Sequence, residues 1–262
     1  MRQRLGQHFL INSRDIERIV DAAQVTSESV VIEIGPGLGA LTRPLVERAR
    51  VVLAVEVDAR LAERLPSEIG NPPNLIVVKS DVLQVRWQEL LSQISSREEV
   101  VVVANLPYYI TSAAIRHILE GGCRFRAAVL TVQAEVAERI IAQPPHANLL
   151  GISVQFYATP KLLFRIPPFH FSPPPRVTSA VVQLVPHQLA YPVDAERFFY
   201  WVRAGFLQPR KQLRNTLAAG LRLSKAQVEA ILRACEIDPS RRPESLSIQE
   251  WLKLAAQPLA VG

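Results

Sequence analysis

The sequence predicts a doubly wound α/β sheet followed by a small all-helical C-terminal domain. Short apolar runs rich in β-branched residues recur at intervals of about 20–30 residues, and helix-like stretches lie between them. From residue 191 the strand-like runs stop, and capped helical stretches follow one another. Apolar residues make up 48% of the 262-residue chain and charged residues 21%, which is typical of a globular protein.

Five apolar runs are the predicted parallel strands, because near-continuous apolar character suits strands that are covered on both faces. They span residues 30–34, 51–55, 75–78, 100–104 and 127–132. The helices predicted before and between them span residues 15–23, 41–49, 59–69, 87–94 and 112–119.

The pattern changes after residue 134. We predict a helix over 135–142, strands over 152–157 and 179–185, and between those strands a proline-rich loop (167–175) that is stiff because proline fixes its backbone angle. The helices predicted beyond them span residues 194–206, 210–221, 224–234 and 248–256, and capping-box spacing joins Ser224 to Gln227 and Ser247 to Glu250. The predicted domains are therefore residues 1–188 and 189–262.

The net charge of +6 favours a polyanionic partner such as nucleic acid or an anionic membrane. Cys123 and Cys235 form no CxxC pair and have no nearby histidine, so we expect two buried thiols and no metal site. No apolar run is long enough to span a bilayer, and the N-terminus lacks an apolar signal region, so we expect a cytoplasmic protein.

A glycine-rich loop follows the first predicted strand, in Glu33-Ile-Gly35-Pro-Gly37-Leu-Gly39. Glycines allow a tight turn and a close approach to a ligand at a helix N-terminus. Glu56 ends the second strand, where an acid can accept hydrogen bonds from ribose hydroxyls. Asp81 ends the third strand, where its carboxylate can accept from an adenine amine, with the neighbouring backbone N–H of Val82 completing the pair. Together these features indicate an adenosine-bearing cofactor.

The fourth strand ends in Asn105-Leu106-Pro107-Tyr108. The Asn105 side-chain oxygen and the Leu106 carbonyl can accept hydrogen bonds from a planar amine, and they would stabilise the positive charge that grows on it during methylation. Pro107 stiffens the turn, and Tyr108 can stack on a base. This arrangement predicts methyl transfer to a nucleobase amine without a metal or a general base.

The chain resembles the ribosomal RNA adenine dimethyltransferases, specifically the bacterial small-subunit group. The resemblance runs from Gly6-Gln-His-Phe-Leu10 through the two loops above to Phe171-Ser-Pro-Pro-Pro-Arg-Val, Arg210-Lys-Gln-Leu-Arg-Asn215 and Arg242-Pro-Glu-Ser-Leu. It implies a Rossmann-like sheet that binds S-adenosylmethionine. It also implies dimethylation of N6 in two adjacent adenosines near the 3′ end of small-subunit (16S) rRNA, late in assembly of the 30S particle.

The resemblance further implies roles for individual residues. The cofactor would contact His8, Leu10, Gly35, Gly37, Glu56, Asp81, Val82 and Asn105. Tyr108 and Phe171 would sandwich the flipped adenine. The basic C-terminal residues suit phosphate contacts, namely Arg203, Arg210, Lys211, Arg214 and Arg222.

Three alternatives remain open at this point. The sister enzymes that methylate large-subunit rRNA and confer antibiotic resistance share the cofactor loop and the Asn-Leu-Pro-Tyr loop, but the C-terminal region is more similar to the small-subunit group. A non-catalytic nucleic-acid-binding relative is disfavoured by the retained Glu56, Asp81, Asn105 and Tyr108. A nicotinamide-dependent enzyme would leave the Asn-Leu-Pro-Tyr loop unexplained. The unpatterned C-terminal helices favour a monomer.

Overall fold

The structure, a computed structural model, describes residues 7–92, 94, 99–122, 124–187 and 193–258. The five predicted parallel strands are present, and each lies within one residue of its predicted bounds. They are β2 (Val30–Ile34), β3 (Val51–Glu56), β4 (Leu75–Lys79), β5 (Val100–Asn105) and β6 (Ala127–Gln133), preceded by the two-residue β1 (Phe9–Leu10). Strands β2, β3 and β5 are almost entirely buried, which explains their continuous apolar sequences.

Helices alternate with these strands, as predicted for a doubly wound sheet. They are α1 (Ser13–Ala23), α2 (Thr42–Arg48), α3 (Ala59–Glu68), α4 (Trp87–Ser92) and α5 (Thr111–Glu120). Polar N-cap side chains fix the first residues of two helices. Asn12 accepts a hydrogen bond from the Asp15 N–H at the start of α1, and Asp58 accepts hydrogen bonds from two backbone N–H groups at the start of α3.

Three further elements complete the strand pairing. They are β7 (Ala158–Ile166), β8 (Phe171–Ser172) and β9 (Ser179–Pro186). In the described residues the main sheet has seven strands in the order β4-β3-β2-β5-β6-β9-β7, and β9 runs antiparallel to both of its neighbours. Strand β7 lies at the sheet edge, where Pro160 is tolerated. The short strands β1 and β8 pair with each other as a separate ribbon.

The predicted strand over 152–157 is wrong, because these residues lie in a helix, α7 (Leu149–Tyr157), and the strand begins only afterwards at Ala158. The helix start is set by the Asn148 side chain, which accepts the Gly151 N–H. The helix is apolar on most sides, so its sequence shows no amphipathic period and is indistinguishable from a buried strand. It is preceded by the predicted α6 (Ala134–Ile141).

The C-terminal helices have their own apolar core, built on three aromatic side chains that are fully buried: Phe198, Trp201 and Trp251. The helices are α8 (Ala195–Gly205), α9 (Leu213–Leu221), α10 (Lys225–Ala234) and α11 (Ile248–Ala256). Both predicted capping boxes are present, at Ser224 with Gln227 and at Ser247 with Glu250. Helix α9 begins three residues later than predicted.

The chain divides into two units, Met1–Glu138 with Ala158–Pro186, and Arg139–Tyr157 with His187–Gly262. The predicted boundary at 188/189 lies in 188–192, outside the described residues. The predicted first domain also contained residues 139–157, whereas the structure groups them with the C-terminal helices. The reason is packing: Phe156 of α7 stacks on Phe198 with ring centroids 4.2 Å apart.

Cys235 is free and buried, and burial raises the pKa of its thiol. Cys123 lies outside the described residues. Within the ranges given above, no group of three or more His, Cys, Asp or Glu could hold a metal ion. Of the helices that the structure describes, none is both long and apolar enough to cross a membrane.

Candidate active site

The carboxyl ends of the parallel strands surround a cavity of about 280 Å³ in the first unit. The strand order reverses between β2 and β5, and the loops that follow such neighbouring strands diverge and leave a crevice for a ligand. Its lining comprises Gln7, His8, Phe9, Ile34, Gly35, Gly37, Val55, Glu56, Val57, Ser80, Asp81, Val82, Asn105, Leu106, Pro107, Tyr108, Tyr109 and Ile110.

Asn105 is held at the end of β5 by a bond from its own side chain. Its Nδ2 donates to the backbone carbonyl of His8 over 3.0 Å. The amide nitrogen is thus engaged by the N-terminal segment, and Oδ1 remains the acceptor of the group. The orientation is the one that the predicted bond from a target amine requires.

The rest of the Asn-Leu-Pro-Tyr loop is fixed by buried contacts. The Leu106 N–H donates to the Thr131 carbonyl over 3.1 Å, and the Leu106 side chain is buried. The Tyr108 hydroxyl lies 2.6 Å from Ser179 Oγ, and burial raises the pKa of the phenol, so it remains protonated. The Tyr108 ring lines the cavity in a fixed position, as a stacking surface must.

Glu56 ties the glycine loop to the end of β3. One carboxylate oxygen accepts the Gly37 N–H over 3.2 Å and the other accepts the Asp58 N–H over 2.9 Å. Each carboxylate oxygen can accept a second bond, so ribose hydroxyls could still reach Glu56. Asp81 accepts the Leu83 N–H at the start of a short 3₁₀ turn, and Val82 opens that turn.

Glu33 is a buried acid for which the sequence reasoning assigned no role. It lines a second cavity of about 150 Å³, which shares Phe9, Gly35 and Asn105 with the first. Its Oε2 atom is buried and has no hydrogen-bond partner among the described residues. The pKa of Glu33 is raised to about 8, mainly by burial; the Thr42 hydroxyl offsets part of this rise and the Glu56 carboxylate contributes to it.

An unpaired buried carboxyl oxygen fits a cationic ligand group. S-adenosylmethionine carries an ammonium, a sulfonium and an adenosine. Glu33 lines the second cavity, where its carboxylate can bind a cation. Glu56 and Asp81 line the first cavity, where their carboxylates can accept hydrogen bonds from an adenosine. The donor set in this structure therefore fits that cofactor.

Strand β1 lines both cavities, and its pairing with β8 ties the N-terminal segment to the proline-rich loop. His8 Nδ1 lies 2.7 Å from the Pro173 carbonyl, and the Ile11 N–H donates to the His170 carbonyl. His170 Nδ1 in turn lies 2.6 Å from the buried Asp15 carboxylate. These bonds hold the cavity-lining residues of the N-terminal segment in place.

The structure brings most of the predicted site residues together. The first cavity is lined by His8, Gly35, Gly37, Glu56, Asp81, Val82, Asn105, Leu106, Pro107 and Tyr108. Leu10 lines the second cavity. Phe171 lines neither: it is 2% exposed, and it pairs with Leu10 across the ribbon, in the same apolar cluster as Ile166. The predicted sandwich of an adenine between Tyr108 and Phe171 does not exist in this arrangement.

The sequence reasoning missed several lining residues. Glu33 carried a signal, because an acid inside an apolar strand must either be paired or serve a ligand. Tyr109, 59% exposed, carried a weaker signal as a large aromatic directly after the Asn-Leu-Pro-Tyr loop. The other missed residues of the first cavity carried no signal that sequence patterns reveal: Gln7, Phe9, Ile34, Val55, Val57, Ser80 and Ile110.

The five predicted RNA-binding residues lie in the second unit. Arg203, Arg210, Lys211 and Arg222 are exposed. Arg214 is partly engaged, since its guanidinium forms an ion pair with Glu229 at 3.0 Å. Four of the five side chains are therefore accessible to a polyanion.

A family model described as ribosomal RNA adenine dimethylase matches residues 1–257. Ribosomal RNA small subunit methyltransferase A of Dehalococcoides mccartyi is 43% identical over 98% of this chain and 88% of its own length. The protein of the same name from Bacillus pumilus is 41% identical over 96% of this chain and 89% of its own length.

Two solved structures are similar along nearly the whole chain. A dimethyladenosine transferase from Plasmodium falciparum has a TM-score of 0.80 at 24% identity, over 94% of this chain and 96% of that one. The 23S rRNA methyltransferase ErmE has a TM-score of 0.74 at 27% identity, over 94% of this chain and 98% of that one. The fold is thus the Rossmann-like α/β fold that the sequence predicted.

Proposed function

The chain belongs to the ribosomal RNA adenine dimethylase family, and we propose that it dimethylates N6 of two adjacent adenosines in small-subunit (16S) rRNA. The target is the 3′-terminal hairpin loop, methylated with S-adenosylmethionine within an assembling 30S particle. The observation that carries the proposal is the Asn105 amide: Nδ2 is bound to the His8 carbonyl, so that Oδ1 is left for the target amine.

Cofactor binding is assigned to the two adjoining cavities. Glu56 accepts hydrogen bonds from the ribose hydroxyls, and Glu33 pairs with the ammonium. At the adenine edge, Asp81 accepts a hydrogen bond from the amine and the Val82 N–H donates one to the ring. Gly35 and Gly37 let the loop backbone approach the ligand, and His8 and Leu10 line the same region from β1. The bound S-adenosylmethionine supplies an activated methyl group with a neutral thioether as leaving group.

The protein's own contribution to the reaction is positioning and charge stabilisation. Asn105 Oδ1 and the Leu106 carbonyl accept hydrogen bonds from the two N–H groups of the target amine. They thereby stabilise the positive charge that develops on its nitrogen. Tyr108 stacks on the splayed-out adenine, while Pro107 stiffens the turn between them. Phe171, which the resemblance placed on the other face of the base, instead anchors the proline-rich loop in the core of the first unit.

The small-subunit substrate is supported by the relatives that match this chain at 43% and 41% identity over almost its entire length. The basic residues of the second unit are assigned to phosphate contacts with the rRNA: Arg203, Arg210, Lys211, Arg214 and Arg222. We expect the protein to act as a monomer, which light scattering during gel filtration would test.

The direct test is methyl transfer from labelled S-adenosylmethionine to undermethylated small subunits, with large subunits in parallel. Digested rRNA is then analysed by mass spectrometry. The expected product is N6,N6-dimethyladenosine at two adjacent positions near the 3′ end of the small-subunit RNA. Label confined to large-subunit RNA would instead indicate the sister activity, and no label in either would refute the proposal.

The role of Asn105 has its own test. Asn105→Ala should lower the single-turnover rate by roughly 10²–10³-fold, because the lost acceptor acts in the transition state. Cofactor affinity, measured by calorimetry, should change far less. Asn74→Ala is the matched control: among the residues that the structure describes, the Asn74 amide nitrogen donates to the Val46 and Ala49 carbonyls, so its loss should affect stability and leave the rate unchanged. A near-normal rate in Asn105→Ala would refute the assigned role.

A further inference from the structure

We propose that Tyr109 binds a second nucleobase at the mouth of the first cavity, where its ring stacks on the base that adjoins the adenine being methylated. The inference rests on the proposed function and deepens it, because the proposed substrate contains two adjacent adenosines. Three observations on Tyr109 carry it: its exposure, its fixed backbone and its free side chain.

The exposure of the residues that follow β5 rises along the chain. Leu106 is 1% exposed, Tyr108 is half-buried and Tyr109 is 59% exposed, yet all three line the first cavity. The cavity wall thus passes from a buried side chain to a solvent-exposed aromatic ring within four positions. Tyr108 therefore belongs to the interior, where the target base stacks, and Tyr109 belongs to the rim.

The backbone beside Tyr109 is held in a fixed turn. The Ile110 N–H donates to the Pro107 carbonyl over 3.1 Å, and the Thr111 hydroxyl donates to the same carbonyl over 3.2 Å. Thr111 is buried and is the first residue of α5. A tyrosine on a fixed backbone has only two side-chain torsions to order, so it can contact RNA at a low entropic cost.

The side chain of Tyr109 is free to bind a ligand. Among the residues that the structure describes, none forms a hydrogen bond or a ring contact with it. Tyr108 differs in both respects, since its hydroxyl lies 2.6 Å from Ser179 Oγ and its ring centroid lies 5.5 Å from that of His8. Tyr108 is thus built into the cavity wall, whereas Tyr109 presents its ring at the mouth.

The proposed reaction creates a need for such a ring. A base that is splayed out of an RNA loop leaves its neighbour without a stacking partner on one face. The neighbour is one nucleotide away from the target, and Tyr109 is one residue away from Tyr108, a Cα–Cα distance of about 3.8 Å. An aromatic ring at the rim can replace the lost base–base stacking, and it can do so for any base.

A role in cofactor binding fits Tyr109 less well. The acids assigned to S-adenosylmethionine lie in or directly after β2, β3 and β4, whereas Tyr109 follows β5. It is four positions after Asn105, in the loop that receives the target amine. The fold therefore places Tyr109 with the residues assigned to the RNA base, and cofactor affinity is the measurement that separates the two roles.

The experiment compares Tyr109→Leu and Tyr109→Phe with wild type, and uses Phe169→Leu as a matched control. Phe169 is 72% exposed in the same unit, but it lines neither of the two cavities described above. Methylation of undermethylated small subunits is measured over a range of subunit concentrations, which gives kcat/KM. Cofactor affinity is measured by calorimetry, and thermal unfolding checks that each variant is folded.

In Tyr109→Leu, kcat/KM should fall about tenfold, a loss typical of one base–aromatic stack. Tyr109→Phe keeps the ring and should stay within about twofold of wild type, as should Phe169→Leu. Cofactor affinity should change by less than about twofold in all three variants. Rescue by phenylalanine but not by leucine separates stacking from simple apolar contact.

Three results would overturn the inference. An unchanged kcat/KM in Tyr109→Leu would remove the contact, and an equal loss in Tyr109→Phe would assign the effect to the hydroxyl. A matching fall in cofactor affinity would move Tyr109 to the cofactor site. An equal loss in Phe169→Leu would also contradict it, because the effect would then belong to exposed aromatic surface in general.

A readout independent of activity is ultraviolet cross-linking, which joins stacked aromatic side chains to bases. It is applied to the complex with undermethylated small subunits and the demethylated cofactor. Mass spectrometry should find Tyr109 linked to a nucleotide that adjoins a target adenosine; a link only to a distant part of the rRNA would overturn the inference. If the wild-type protein methylates no rRNA, the proposed function fails and this inference with it, whereas failure of the Tyr109 arms alone leaves the proposed function standing.

Discussion

At the scale of single residues, burial decides roles that sequence motifs leave open. Phe171 and Phe169 lie two positions apart in the proline-rich loop, yet Phe171 is 2% exposed and Phe169 is 72% exposed. A motif records the identity of an aromatic residue and says nothing about which side of the loop it occupies. The structure gives the motif phenylalanine a packing role.

This pair of phenylalanines yields a stability prediction. Phe171→Ala should lower the free energy of unfolding by about 3–5 kcal/mol, because it removes a fully buried ring. Phe169→Ala should change it by less than about 0.5 kcal/mol. Denaturant unfolding measures both. A Phe171→Ala protein of normal stability that no longer binds RNA would restore the stacking role that the resemblance implied.

Glu33 gives a second prediction, on pH. Burial raises its pKa to about 8 in the folded state, against an ordinary value of 4.5. Between these two pH values the folded protein keeps a proton that the unfolded chain releases. The free energy of unfolding therefore falls as the pH rises through this range, in total by about 1.4 kcal/mol for each unit by which folding shifts the pKa of Glu33. Glu33→Gln should remove this contribution and be more stable than wild type at pH 8–9, as measured by urea unfolding at each pH.

The same residue should couple cofactor binding to pH. A cationic ligand favours the ionised carboxylate, so wild-type affinity for S-adenosylmethionine should rise between pH 7 and 9, while the affinity of Glu33→Gln should be weaker and flatter. Calorimetry in two buffers of different ionisation enthalpy would also detect the released proton. Equal pH profiles in the two proteins would contradict the assignment of Glu33 to the ammonium.

At the scale of elements, the site depends on how the glycine loop meets the β1–β8 ribbon. Gly37 has a left-handed backbone with φ of 57°, and a Cβ added there would lie 2.9 Å from the Phe9 side chain. The loop can thus approach β1 only where no side chain intervenes. The Gly37 N–H also bonds Glu56, so the same turn positions the ribose acceptor.

Gly37→Ala should therefore disturb the site as well as strain the backbone. We expect its affinity for S-adenosylmethionine to fall about tenfold, which corresponds to 1.4 kcal/mol. Gly70→Ala is the matched control, since Gly70 also has a positive φ, of 93°, but an added Cβ would meet nothing within 4 Å. It should lose stability and keep its affinity. Equal losses of affinity in both variants would show that the Phe9 contact is unimportant.

At the scale of the whole molecule, the positive charge is unevenly distributed along the sequence. The region from residue 191 to the end contains eleven Lys and Arg against seven Asp and Glu, so it carries most of the net +6. Of the basic side chains assigned to RNA, Arg210 and Lys211 are exposed, whereas Arg214 forms an ion pair with Glu229. The exposed charges should dominate binding to phosphates.

This difference predicts a salt dependence. Replacing Arg210 and Lys211 by Ala should weaken binding to small-subunit RNA and reduce the slope of log Kd against log salt by about 1 for each lost phosphate contact. Arg214→Ala should change the slope less, because its charge is already partly neutralised. Fluorescence anisotropy at several salt concentrations measures the slopes. If all three variants keep the wild-type slope, these residues do not contact phosphates.

The sequence by itself determined the alternating strands and helices of the first unit, the C-terminal capping boxes, the cofactor loop and the Asn-Leu-Pro-Tyr loop. These features are local: buried strand character, side-chain caps and turn glycines act over a few residues, so a linear pattern records them. Glu56, Asp81 and Asn105 could be predicted to meet, because the carboxyl ends of neighbouring parallel strands always lie at one edge of a sheet.

The tertiary structure decided what depends on residues far apart in the chain. Residues 149–157 form a helix because they pack around Phe198, a partner that no local pattern specifies. Phe171 is buried because β8 pairs with β1, some 160 residues away. The orientation of the Asn105 amide likewise depends on a single hydrogen bond between distant segments. Packing partners and hydrogen-bond directions are set in three dimensions, and the chemistry of this site follows from them.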